Sequence, residues 1–218
     1  MALIDRMVAL WQQPLSRKLQ YLSFKRDRLV TLLLHRPRLR ACGRNSIVQR
    51  PLFWTPENIS LGSNVLIWPD CRIEAVETGN QSPQIFIGDQ VTLQQSCHIT
   101  AGGELRIGEG TTILFGVMIT DIDHRYDCLG ESPSVQPIRI SETRIGSNCF
   151  IGAGAMIFPG TRLGDHCVVG ANSVVRGVFP DRSVIVGAPG RIVKYYDPAV
   201  RRWIKSSVLT PTSPDYQL

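Results

Sequence analysis

The chain has 218 residues, 43% of them hydrophobic but only 7% aromatic, and a formal net charge of +6. That length suits one domain with an appendage, and no apolar run approaches the roughly 20 residues of a membrane-spanning helix. The charge is uneven: residues 1–50 carry eleven Lys/Arg and two Asp, a net +9, against −3 for residues 51–218. The basicity belongs to an N-terminal arm, which implies a separate job for that arm.

Residues 1–41 read as a basic amphipathic helical arm. Leu3, Met7 and Leu10 form one apolar stripe, Pro14 interrupts it, and Leu15, Leu19, Leu22, Leu29 and Leu33 continue beyond. Arg17, Lys18, Lys25, Arg26, Arg28, Arg36, Arg38 and Arg40 crowd the same segment. Two readings stay open: a helix packed on a neighbouring subunit, or an interfacial helix drawn to anionic lipid head groups. No nucleic-acid-binding motif accompanies the basic residues, so nucleic acid is not an expected partner. Asp5 and Arg6 break the N-terminus where a signal peptide needs its apolar core, so a cytoplasmic protein is expected, with peripheral contact at the inner membrane face if the arm binds lipid.

From Cys42 the chain counts in sixes. Between Ile145 and Pro180 an aliphatic residue opens every unit: Ile145, Ile151, Ile157, Leu163, Val169 and Val175. The fifth place is small in five of the six units, with Cys149, Ala155, Thr161, Cys167 and Ser173. Cys71 and Cys97 share that place, so these cysteines read as core packing rather than a disulfide framework. A period of six fits neither a helix nor a plain strand, but it fits a parallel β-helix in which each unit gives one short strand and one corner. Three units make one triangular coil. Earlier coils open at Leu61, Ile87 and Ile107, after a degenerate first coil from Cys42. About six coils over residues 42–190 are expected, roughly 29 Å of stacked strands.

The regular beat exposes its interruptions. Thirty-eight residues separate Ile107 from Ile145, twenty more than one coil needs. The excess falls in a polar loop, residues 120–138, that begins TDIDHRYD. After the repeat, residues 191–218 read as a short helix and a tail, because Asp197 followed by Pro198 is a good helix start.

These hexapeptides, their three-per-coil phase and the segment GAPGRIVK resemble the left-handed β-helix acyltransferases of the hexapeptide-repeat superfamily. Residues 85–194 are most similar to the galactoside and maltose O-acetyltransferases and their relatives that acetylate bacterial polysaccharides. The resemblance implies an all-β, left-handed parallel solenoid, acetyl-CoA as co-substrate and a sugar hydroxyl as acceptor. It also implies a homotrimer with active sites between subunits.

It further implies roles for single residues. His124 matches the family's general base, and a neutral imidazole has the pKa to take a hydroxyl proton. Asp123 is the expected partner that orients it, although Asp121 and Asp127 lie close enough in sequence to compete. His98, Asp121 and Tyr126 are the candidate acceptor contacts. Ala153 and Ala171, eighteen residues apart, match small positions along the pantetheine arm. Arg176, Arg191 and Lys194 are the candidate phosphate contacts, with Arg176 standing where relatives carry Thr-Lys. His166 reads as structural and His35 as part of the arm. Cys128 beside the loop is not needed as a nucleophile, since the thioester is already activated.

Three other readings share the prism. An N-acetyltransferase on an amino sugar would use the same base. A γ-type carbonic anhydrase needs three histidines around zinc, and only His98 and His124 are placed for that, so no metal ligand is assigned. A noncatalytic member would have no use for the loop.

Overall fold

The computed structural model describes residues 14–78 and 82–209, the last three by backbone alone. Three parallel sheets form the faces of a prism. The first face runs Ala41–Cys42, Ile59–Leu61, Gln84–Ile87, Glu104–Ile107, Arg144–Ile145, Arg162–Leu163 and Val178–Phe179 in order. The second runs Ile47–Val48, Leu66–Ile67, Thr92–Leu93, Thr112–Ile113, Phe150–Ile151, Val168–Val169 and Ser183–Val186. The third runs Phe53–Trp54, Arg72–Ala75, His98–Ala101, Met118–Thr120, Met156–Ile157 and Val174–Val175. Each strand pairs with the one a coil earlier and a coil later, so openers stack on openers: Ile107 on Ile145, Ile113 on Ile151, Ile119 on Ile157.

The six-residue beat produces this arrangement directly. The opener points inward and the residue before it outward, as strand alternation requires. Ile67, Ile73, Leu93, Ile99, Ile113, Ile119, Ile151 and Ile157 are all fully buried. Each such side chain contributes about 1.5–3 kcal/mol relative to exposure. The fourth place turns the corner, and there the backbone is left-handed: Asn64, Gln90, Gly110, Asn148, His166 and Arg182 all have positive φ at one corner. His166, at φ 57, is therefore a corner residue, in keeping with its structural reading. The fifth place turns back inward. There Thr111 donates its hydroxyl to the Gly146 carbonyl at 2.9 Å, and the Cys97 thiol donates to the Leu114 carbonyl at 3.2 Å. All six cysteines are unpaired thiols.

At the opening corner of the coil the neighbouring turns nearly touch. A Cβ on Gly146 would sit 2.5 Å from the Gly164 backbone, and one on Gly108 equally close to that of Gly146. No side chain fits such a gap, so glycine at the second place is a packing requirement.

Both ends of the stack are covered. The N-terminal arm forms a helix at Leu15–Val30, with Pro14 at its start, and continues as a π-helical turn over Thr31–His35. Its inward side is mixed: Phe24 packs edge-on against Trp68, and polar groups bind the first coil. The Thr31 hydroxyl accepts the Val48 backbone amide at 2.9 Å, and the Gln49 side-chain amide donates to the Asp27 carboxylate at 3.0 Å. These bonds satisfy groups at the open edge of the first coil, which would otherwise invite pairing. His35 packs edge-on against Trp54. The stripe of Leu3, Met7 and Leu10 lies outside the described residues.

The other end departs from the sequence reading. No helix spans Pro198 to Lys205; instead Arg191–Asp197 and Arg202–Leu209 form an antiparallel hairpin that extends the second face. Asp-Pro starts turns as readily as helices. Here the Asp197 carboxylate accepts the Ala199 amide at 2.8 Å and closes the hairpin turn. The first of these strands then pairs with the open edge at Ser183–Val186 and the second adds beyond it, an interaction no isolated helix could offer.

Candidate active site

The twenty-residue intrusion leaves the prism at the corner after the third face. Its base is a two-stranded antiparallel ribbon, Ile122–His124 against Ile138–Ile140. The ribbon is rooted by Asp121, which is fully buried. One carboxylate oxygen accepts the Gly102 amide at 2.7 Å and the other the Gly103 amide at 3.0 Å. Burial raises the Asp121 pKa above the ordinary carboxylate value, and the two amides oppose that rise. Ile122 and Ile140 rest on Gly102, where an added Cβ would lie 3.1 Å from each.

This geometry corrects two expectations. Asp121 is not a substrate contact, because a carboxylate sealed from solvent and engaged by two amides cannot reach a sugar. Asp123 does not orient His124. Adjacent residues of a strand point to opposite sides, and Asp123 instead accepts from the Arg176 guanidinium at 2.5 Å. That pair joins the ribbon to a coil 53 residues later in sequence. The Arg176 guanidinium also lies 5.6 Å from the centre of the Phe158 ring. Arg176 is thus held at the third face, beside the loop.

His124 is exposed, and its imidazole has no hydrogen-bond partner among the described residues. It stands on the same side of the ribbon as Ile122. Beyond it the loop is solvent-exposed: Tyr126 is 67% and Leu129 95% accessible. Asp127 pairs with Arg125, which holds its carboxyl below the usual range. The return of the loop is tied by Gln136, which sequence reasoning missed. Its side chain accepts the Cys128 amide at 3.2 Å and donates to the Cys128 carbonyl at 3.0 Å and the Glu131 carbonyl at 3.1 Å. Cys128 itself is exposed.

His98 stands on the outer surface of the third face, in register with Arg72 on one side and Met118 on the other. It is one coil before the strand that leads into the loop. Partial burial lowers its pKa, the Arg72 charge lowers it further, and Glu74 pulls the other way. His98 is therefore neutral at pH 7 and able to accept a hydrogen bond from a hydroxyl. Because the folded pKa is depressed, the unfolded chain binds more protons between the two values, so stability is lost as pH falls through that window. An NMR titration of His98 should have its midpoint below the ordinary histidine value of about 6.5, and Arg72→Ala should move it upward; a midpoint above that value would contradict this environment.

A second group of candidates gathers at the corner between the second and third faces. Ala153 and Ala171 stack one coil apart, with the Asn172 amide donating to the Ala153 carbonyl at 2.9 Å. The GAPG turn continues the column: the Val174 amide donates to the Gly187 carbonyl and the Gly190 amide to the Val174 carbonyl. A register shift opposite Ile192–Lys194 sets Arg191 across from Val186 and Lys194 across from Val184, so both basic side chains face outward. The structure thus stacks Ala153 and Ala171 at one corner, with Arg191 near its end and Lys194 on the adjoining second face. A separate groove of about 380 Å³ lies on the first face, lined by Phe86, Arg106, Arg144 and Asp165 among others, away from His124.

Comparison with known proteins follows the same lines. A family described as the hexapeptide repeat of succinyl-transferase matches residues 142–176. WbbJ of Escherichia coli (strain K12), described as a lipopolysaccharide biosynthesis O-acetyl transferase, is 30% identical over 156 residues, covering 68% of this chain and 78% of WbbJ. The chain belongs to the hexapeptide-repeat acyltransferases. Among solved structures, the N-acyltransferase AntD from Bacillus cereus, in complex with dTDP and 3-hydroxybutyryl-CoA, aligns with a TM-score of 0.62 at 21% identity, covering 77% of this chain and 88% of AntD. A galactoside acetyltransferase in complex with coenzyme A aligns with a TM-score of 0.51 at 21% identity, covering 82% and 76%. Both likenesses establish the fold of this hexapeptide-repeat acyltransferase.

Proposed function

We propose that the protein is an acetyl-CoA-dependent O-acetyltransferase that modifies a sugar hydroxyl of a surface polysaccharide or its precursor, with His124 as general base. One observation carries the reading: the ribbon rooted by Asp121 holds out an exposed, unengaged imidazole at the corner of the face that bears His98. Membership of the acyltransferase family and the similarity to WbbJ supply the reaction class and the sugar acceptor.

In this mechanism the acceptor hydroxyl attacks the thioester carbonyl carbon while His124 takes its proton. Backbone amides stabilise the tetrahedral oxyanion. The intermediate collapses, the carbon–sulfur bond breaks, and imidazolium returns the proton to the departing CoA thiolate. The chemistry calls for no metal, because the thioester is already activated. Ala153 and Ala171 leave room at their corner for the pantetheine arm, and Arg191 and Lys194 supply positive charge for the nucleotide phosphates. The Asp123–Arg176 pair fixes the ribbon against the later coil.

The working unit in this proposal is a homotrimer of left-handed prisms of about six coils, each with its helical arm, and the active sites lie between subunits. Tyr126, Leu129 and Val135 support that assembly, since these loop side chains are 67–95% exposed in the single chain. We assign the protein to the cytoplasm, where six unpaired thiols persist. No helix among the described residues is long and apolar enough to cross a membrane. The test is acetyl transfer from acetyl-CoA to a panel of sugars and nucleotide sugars, read by mass shift.

A further inference from the structure

The arm helix presents a leucine stripe to solvent, while its protein side carries Asp27, Thr31 and Phe24, the last edge-on to Trp68. Asp27 and Thr31, 6% and 2% exposed, face the first coil. Leu15, Leu19, Leu22, Leu29 and Leu33 recur at three-, four- or seven-residue spacing on the opposite side, each 56–70% exposed. Leu32 and Leu34 widen the patch at its C-terminal end, 52% and 60% exposed. Such a contiguous apolar surface marks a docking site rather than an ordinary solvated helix.

The charge around the patch selects its occupant. Arg26 lies within the leucine stripe, Lys18, Lys25 and Arg28 lie along one flank, and Arg36, Arg38 and Arg40 follow at its end. Among the described residues of the arm the one acidic residue, Asp27, is turned inward, where it binds Gln49 and Arg26. A second copy of this face would set cations against cations, with no acid on the described part of the face to offset them. A surface of negative head groups over an apolar interior matches both features at once.

We propose that the arm helix docks the protein on an anionic lipid bilayer, its leucine stripe in the acyl boundary and its Lys/Arg side chains among the phosphates. The docking stands independently of the acetyl-transfer reading. Its consequence for that reading is an acceptor that is itself carried on lipid.

Flotation of the full chain with phosphatidylcholine vesicles, with and without phosphatidylglycerol, tests the proposal. Binding should require phosphatidylglycerol and weaken at high salt. The double variant Leu22→Asp/Leu29→Asp should lower partitioning by about tenfold or more with its thermal midpoint unchanged, because neither side chain packs on the prism. Arg17→Glu/Lys25→Glu should weaken binding to the anionic vesicles. Absence of flotation with either vesicle would overturn the proposal, as would equal flotation with both. So would loss of the oligomer by light scattering in the leucine variant without any change in lipid binding, which would make the stripe a subunit contact.

Discussion

Replacing His124 by Ala should lower kcat for acetyl transfer by about 10²- to 10⁴-fold, the usual contribution of a positioned general base. The fold should survive unchanged. His124 is exposed, makes no hydrogen bond among the described residues, and sits on a ribbon whose anchor is Asp121. Affinity for CoA should hold, since the stacked corner of Ala153 and Ala171 is built by other coils. Kinetics at saturating acetyl-CoA, with calorimetric CoA binding and thermal melting of the same sample, separate these effects. A kcat within a few-fold of the parent would remove His124 from the reaction.

Asp121→Ala should cost stability as well as activity. It deletes the acceptor of the buried Gly102 amide and the half-buried Gly103 amide, and opens a cavity beneath the ribbon. The loss of charge-assisted bonds to amides left unsatisfied amounts to about 3 kcal/mol or more. For a chain of this length that corresponds to a fall in Tm of roughly 6–12 °C. Asp121→Asn should fall between parent and Ala, because its side-chain oxygen can still accept one amide while its NH2 opposes the other. The pH dependence carries a sign. The folded pKa of Asp121 is raised by burial, so the folded state binds more protons, and stability falls as pH rises from the ordinary aspartate value through the raised one. Asp121→Ala should flatten that part of the acid stability profile. A parent-like Tm together with parent-like kcat would show that the ribbon is held by something else.

These two residues also mark how far the sequence could be read. The prism was legible because each hexapeptide place has one physical role, with the opener in the core, glycine where coils nearly touch, a left-handed fourth place and a small fifth. The site was legible only as an interruption of that count. His124 could be singled out there, but three aspartates crowd it within seven residues, and sequence distance does not say which way each points. Strand parity sends Asp123 away from His124, and the partner it finds, Arg176, is separated by 53 residues of chain. Asp121 became a buried anchor because Gly102 and Gly103 offer amides at the matching corner one coil earlier. A glycine pair at a corner facing the root of an insertion is the signal that could have identified it. Gln136 offered no such signal, since it bonds backbone groups brought near by the loop's own return. The C-terminal hairpin was misread for a related reason. Asp197-Pro198 is a local cue shared by helices and turns, and the edge at Ser183–Val186 decides between them.

The most direct test of His124-assisted O-acetylation is mass analysis of reactions containing the protein, acetyl-CoA and paired acceptors that differ only in carrying a hydroxyl or an amine at one position. The expected result is a single acetyl added to the hydroxyl form, removable by mild base and absent in the His124→Ala variant. Acetylation of the amine form alone, or no transfer to any sugar while CoA is bound, would contradict it.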